Sequence, residues 1–112
     1  MKTPLRRIVL IGENIELRIV SLVVRCREVA EDVVVFDTGS TDETVQLAGE
    51  VQSRVVEYNG DLTPQHLAKA AVSASLDDGL TLFLPISPMW KMAELPLSVN
   101  RAREGWDVHY LY

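Results

Sequence analysis

Apolar and polar positions along the chain sort into two kinds of stretch that alternate. Short, continuously apolar runs occupy residues 8–11, 33–36 and 80–84, and a more polar β-branched run occupies 54–57. Continuous apolar runs of this length suit strands buried on both faces. The stretches between them, residues 14–27, 41–51 and 64–76, carry helical spacing. In the first, Ile15, Ile19, Leu22, Val23 and Cys26 make one stripe, with Asn14 as candidate N-cap. In the second, Ser40 followed by Glu43 reads as a capping box, with Val45, Ala48 and Val51 facing inward. Thr63-Pro64 opens the third, with proline at its first position, and Gly79 after Asp77-Asp78 punctuates a solvated turn before the fourth strand.

The order β-α-β-α-β-α-β predicts a three-layer α/β/α sandwich around a mostly parallel, Rossmann-like sheet with right-handed crossovers. The expected strand order is 3-2-1-4. Beyond the fourth strand, Pro85, Pro88 and Pro96 break the pattern. Residues 97–104 read as a short helix stopped by Gly105. Residues 106–112 alternate, with Trp106, Val108, Tyr110 and Tyr112 on one side, as an antiparallel edge strand would. No repeat or linker interrupts residues 1–112, which read as a single domain.

Composition narrows the function classes. The chain has 112 residues, 47% hydrophobic and 24% charged, with 11 Lys+Arg against 16 Asp+Glu for a net charge of −5. That balance argues against non-specific binding to nucleic acid or to an anionic membrane. The lone Cys26 excludes an internal disulfide, and on an apolar stripe it reads as an inert buried thiol. His66 and His109 are too few for a histidine-rich metal site. The most apolar helical stretch, residues 19–24, falls far short of the ~20 residues a membrane span needs. Lys2, Arg6 and Arg7 precede an apolar run too short for a secretory signal, so a cytoplasmic protein is expected.

The most informative segment is Val33-Val34-Val35-Phe36-Asp37-Thr38-Gly39-Ser40-Thr41-Asp42-Glu43-Thr44. A buried strand delivers Asp37 to the carboxyl edge of a parallel sheet, where open α/β folds bind ligands. Gly39 permits a sharp turn, and Ser40, Thr41 and the following helix start offer hydroxyls and N–H groups for an anion or a sugar. Asp37 can accept from a ribose hydroxyl or a base N–H. The plainer reading is a strand-to-helix turn with a cap.

This segment resembles the Asp-x-Gly-Ser-x-Asp-x-Thr signature of family-2 glycosyltransferases of the GT-A fold. Gly12-Glu13-Asn14-Ile15-Glu16 stands where that family has an Asn-Glu-Glu-like turn after its first strand. The resemblance covers residues 6–84. It implies a nucleotide contact for Asp37, with Gly39, Ser40 and Thr41 shaping the loop and Glu13 and Asn14 lining the same pocket. The departures are as informative. Where the family has an Asp-x-Asp pair holding a divalent metal, this chain has Pro85 and Ser87, and Gln65-His66 replaces an Arg-Asn pair. The resemblance stops at residue 84, so a counterpart of the family's acceptor-binding, base-supplying region is not expected within these residues.

The expectation is therefore a degenerate glycosyltransferase-like domain. It binds a nucleotide or a nucleotide sugar such as a UDP-sugar, without metal or full transferase activity and with no assigned catalytic residue. Asp37→Ala is expected to abolish binding and leave the fold intact. The alternative is a non-catalytic interaction module that uses the same scaffold. It would pair with a second copy or a protein partner through Met89, Trp90, Met92, Trp106, Tyr110 and Tyr112. A third reading is a transferase subunit completed by a partner. A phosphatase of the haloacid dehalogenase type lacks its general acid, because Gly39 stands in that place. A receiver domain lacks its acidic cluster, of which only Glu13 is present, and its lysine, since none follows Leu84 before Lys91. His66 either faces the site or caps its helix.

Overall fold

Strands β1 (Leu5–Gly12), β2 (Asp32–Asp37), β3 (Arg54–Glu57) and β4 (Leu80–Pro85) form where the apolar runs lie. Helices α1 (Ile19–Arg27), α2 (Thr44–Glu50) and α3 (Pro64–Ser73) connect them, and a 3-10 turn (Met92–Glu94) leads into α4 (Leu95–Arg103). The structure, a computed structural model, describes residues 5–76, 78–87 and 89–103. Asp77, the stop at Gly105 and the edge strand over residues 106–112 lie outside the described residues.

Among the described residues the strands make one parallel sheet in the order β3-β2-β1-β4. The chain steps from β1 to β2 to β3 in one direction, then returns past β1 to β4. Right-handed crossovers therefore place α1 and α2 on one face and α3 on the other. The packing agrees. Ile8, Leu10, Val33, Val35, Leu82 and Leu84 meet Ile19, Leu22, Val23 and Cys26 of α1, Ala48 of α2, and Leu95 and Val99 of α4. On the opposite face Val9, Ile11, Val34, Phe36 and Phe83 meet Leu67 and Ala71 of α3. Burying each such large side chain contributes roughly 1.5–3 kcal/mol.

Three local expectations are corrected. Helix α1 starts at Ile19, because Asn14 takes a left-handed backbone (φ 52°) and ends the strand in a separate turn. Ser40 does not cap α2, since that helix begins only at Thr44 and the Ser40 hydroxyl is bonded to Asp37. Val45 is exposed, because Thr44, Leu47, Ala48 and Val51 take the inward positions. Two others hold: Pro64 lies in the first turn of α3, and Gly79 has a left-handed φ of 79°. Cys26 is fully buried, which pushes its thiol pKa up to about 12.

The amino end of the sheet is closed by ions. Arg7 is only 3% exposed and donates to Asp32 (2.8 Å), Asp78 (2.8 Å) and the Leu76 carbonyl (3.0 Å). Burial lowers the Arg7 pKa, but the bonds to Asp32 and Asp78 outweigh it and leave it raised. Asp78 lies in the exposed turn expected before β4 and there also pairs with Arg7 and Arg6. Bonds from Arg7 and then Arg6 hold its carboxyl below the usual range.

Candidate functional site

At the carboxyl edge the register sets Gly12 of β1, Asp37 of β2 and Glu57 of β3 in one row. The sheet switches direction between β1 and β4, the place where open α/β sheets take ligands. Two loops rise from this row, residues 13–18 after β1 and 38–43 after β2.

The two loops are joined by a polar ladder, and the signature segment builds it. Asp37 is only 6% exposed. Its carboxylate accepts from the amides of Gly39 (3.3 Å) and Ser40 (3.1 Å) and from the Ser40 hydroxyl (2.5 Å). The Ser40 proton is thereby committed, so its oxygen accepts the Asn14 amide at 3.0 Å. Asp42 repeats the logic. It accepts from the Thr44 hydroxyl (2.5 Å) and amide (2.9 Å), and the Thr44 oxygen accepts the buried Ile15 amide at 2.9 Å. Each carboxylate thus orients a hydroxyl, and each hydroxyl receives an amide from the other loop.

Reciprocal bonds finish the ladder. The Glu16 amide donates to Asp42 (3.2 Å), the Glu43 amide to the Glu16 carboxylate (3.1 Å), and the Thr41 amide to the Asn14 side chain (2.9 Å). Burial raises the Asp42 pKa, but the bonds from Thr44 and Glu16 outweigh it and hold the carboxyl below its ordinary value. Gly39 closes the turn at φ 122°, a backbone that side chains rarely adopt.

This ladder corrects two expectations. The start of α2 is no anion site, because Asp42 and Glu16 already take its Thr44 and Glu43 amides. Asp37 is not a free hydrogen-bond acceptor that can be removed without consequence. It accepts three bonds inside its own loop, and one lone-pair site remains for a ligand.

Two pockets flank the ladder. One, of about 410 Å³, opens over the ends of β2 and β3 and is lined by Asp37, Gly39 and Ser40 with Glu57, Tyr58 and Asn59. The Tyr58 ring stacks on Phe36 with centroids 5.3 Å apart, and its hydroxyl bonds to the Asp61 carbonyl. The other, of about 280 Å³, lies at the β1–β4 switch and is lined by Glu13, Asn14, Ile15, Leu17, Arg18 and Ile86. The backbone packs closely there, and a Cβ on Gly12 would stand 3.1 Å from the Ile86 carbonyl. Between the pockets the Thr38 hydroxyl donates to Glu13 at 3.3 Å.

All six expected site residues therefore meet at one edge. Asp37, Gly39 and Ser40 line the first pocket, Glu13 and Asn14 line the second, and Thr41 belongs to the ladder. His66 is exposed and lines neither pocket; its Nδ1 lies 2.5 Å from the Thr63 hydroxyl, and no side chain caps the start of α3. The sequence reading missed Glu57, Tyr58, Asn59 and Arg18. The first three directly follow or end a parallel strand, which was signal enough; Arg18 carried none. Pro85 and Ser87 bring no anionic oxygen to the end of β4, and no group of three His, Cys, Asp or Glu among the described residues is placed to hold a metal ion. No helix among the described residues is long and apolar enough to cross a membrane. Comparison with protein-family models, with curated proteins and with solved structures returned no match to this chain.

Proposed function

We propose that this domain binds a nucleotide or nucleotide sugar at the carboxyl edge of its sheet and lacks full transferase activity. The observation that carries the reading is the pocket over β2 and β3. It combines a carboxylate row (Asp37, Glu57), an aromatic wall (Tyr58) and an amide side chain (Asn59). Carboxylate and amide groups suit ribose hydroxyls and base N–H groups, and an aromatic ring suits a base face. The likeness of the Asp37 segment to family-2 glycosyltransferases supports the same ligand class. Pro85 and Ser87 stand where the resemblance would place the metal-holding aspartates, and neither side chain offers an anionic oxygen to hold a metal against a departing diphosphate.

The test is a ¹⁵N-HSQC titration with UDP, GDP and CDP and the corresponding nucleosides. Shifts at Asp37–Ser40 and Glu57–Asn59 are expected with nucleoside and diphosphate alike. No shift with any of them at millimolar concentration overturns the reading.

A second reading, an interaction module, is favoured by one observation. Leu17 is 95% and Met89 81% exposed. Light scattering at high concentration decides it, and a strict monomer counts against pairing with a second copy.

A further inference from the structure

The carboxyl edge poses an electrostatic problem for any phosphate-bearing ligand. Glu13, Glu16, Asp37, Asp42, Glu43 and Glu57 all stand on or near it. An anion that enters there meets a negative field.

Arg18 is the answer the fold provides. It sits in the last residue before α1, and its guanidinium reaches across the switch point toward the segment after β4. Nη1 donates to the Ser87 carbonyl at 3.2 Å and Nη2 to the Trp90 carbonyl at 2.5 Å. Its Cζ lies 6.0 Å from the centre of the Trp90 ring, which adds a cation–π contact. Both bonded acceptors are neutral. Among the described residues no carboxylate pairs with Arg18, in contrast to Arg6, Arg7 and Arg25. Five N–H groups on a planar fork leave donors to spare after two bonds. Arg18 lines the second pocket, and Lys91, exposed, adds charge to the segment its guanidinium meets.

The spacing suits one ligand across both pockets. The gap between β2 and β3 and the gap between β1 and β4 are two strand spacings apart, roughly 10 Å. That is about the reach from a base to the far phosphate of a nucleoside diphosphate. Glu13 and Arg18 line the same second pocket, and the Glu13 carboxylate is engaged by the Thr38 hydroxyl. We infer that Arg18 is the phosphate-binding cation of this site, and that its guanidinium meets the charge of a nucleoside diphosphate without a divalent metal. This rests on the nucleotide reading above and adds to it the group that holds the phosphates. Arginine matches phosphate oxygens in a fork geometry that lysine cannot reproduce.

Calorimetry with UDP, uridine and inorganic pyrophosphate tests it, on wild type, Arg18→Gln and Arg18→Lys, each in EDTA and in Mn²⁺. GDP and guanosine serve as a parallel pair. The wild-type protein is expected to bind the diphosphate at least about tenfold more tightly than its nucleoside in EDTA. Mn²⁺ should leave that ratio unchanged. Arg18→Gln should bring diphosphate affinity down to that of the nucleoside and abolish pyrophosphate binding, with nucleoside affinity intact. Arg18→Lys should fall between. If Arg18→Gln binds the diphosphate as wild type does, or if binding requires Mn²⁺, the inference falls and the nucleotide reading stands. If neither nucleoside nor diphosphate binds the wild-type protein, both fall. Loss of nucleoside affinity in Arg18→Gln assigns Arg18 to loop structure and overturns the inference as well.

Discussion

At the amino end of the sheet a single buried guanidinium, Arg7, is enclosed by two carboxylates and a carbonyl from β2 and the loop before β4. At the carboxyl end several carboxylates lie within reach of one another, and hydroxyls and amides do the work of cations. In the first arrangement the guanidinium is buried and its ions neutralise one another, with a pocket of about 300 Å³ lined by Leu5, Arg27 and Glu31 beside it. The second is open: its polar groups fasten two loops together, and pockets remain on either side. Both ends stabilise the same sheet. At the carboxyl end the polar groups also border pockets, whereas at the amino end the exposed Arg6 and Glu31 are paired with each other.

The largest test of that contrast removes both acids from the amino end. Asp32→Ala with Asp78→Ala strands Arg7 in the core. About 3 kcal/mol should be lost in urea unfolding, at the low end for an uncompensated buried charge because Leu76 still accepts. Arg7→Met in the same background should restore most of it, since replacing a buried ion set by an apolar side chain is often neutral. If the double variant is as stable as wild type, the amino end is not held by its ions.

The next test goes to the other end. Asp37→Ala leaves the Ser40 hydroxyl and the Gly39 and Ser40 amides without their acceptor, and Thr44→Val does the same to the buried Ile15 amide. Each should cost roughly 2 kcal/mol. Both should move the amide resonances of Asn14 and Ile15, on the loop that was not mutated. Unmoved resonances would show that the loops are not joined as described.

The smallest effect is the acid limb. Asp78 and Asp42 both have carboxyls held below the ordinary value of 3.8, so their contribution is present above that pH and is lost as pH falls through their lowered values. The urea midpoint should be flat from neutral pH to about that value and then fall. Asp78→Asn should make that fall shallower. An acid limb that begins well above the ordinary carboxylate range would break this assignment.

The strands and the stripe that runs into α1 were legible in the sequence because each is a matter of local period; the strand order is set by long-range pairing that no local period carries. Continuous apolar runs mark two-faced burial, and Ile15, Ile19, Leu22, Val23 and Cys26 repeat at the helical interval. Asp37 and Gly39 could also be read, as the end of a strand and the turn after it. The ladder could not. Its bonds join residues 26 to 29 apart in sequence, and which hydroxyl meets which amide depends on how β1 and β2 register. The same cause explains Val45. Inward positions on α2 were assigned by hydrophobicity, yet Thr44 goes inward because its oxygen is wanted by Ile15. Asn14 was read as a cap because of its residue type, and its side chain instead receives the Thr41 amide from the neighbouring loop.

The ladder also has a kinetic signature. The amides of Asn14, Ile15, Glu16, Thr41 and Glu43 sit in connecting segments, the kind of backbone that normally trades its protons with water within moments. Here each is donated to a side chain of the facing loop. Their deuterium uptake should follow the slow, concerted opening of β1 and β2 rather than the quick fraying of separate loops, so the rim opens only when the two strands beneath it part.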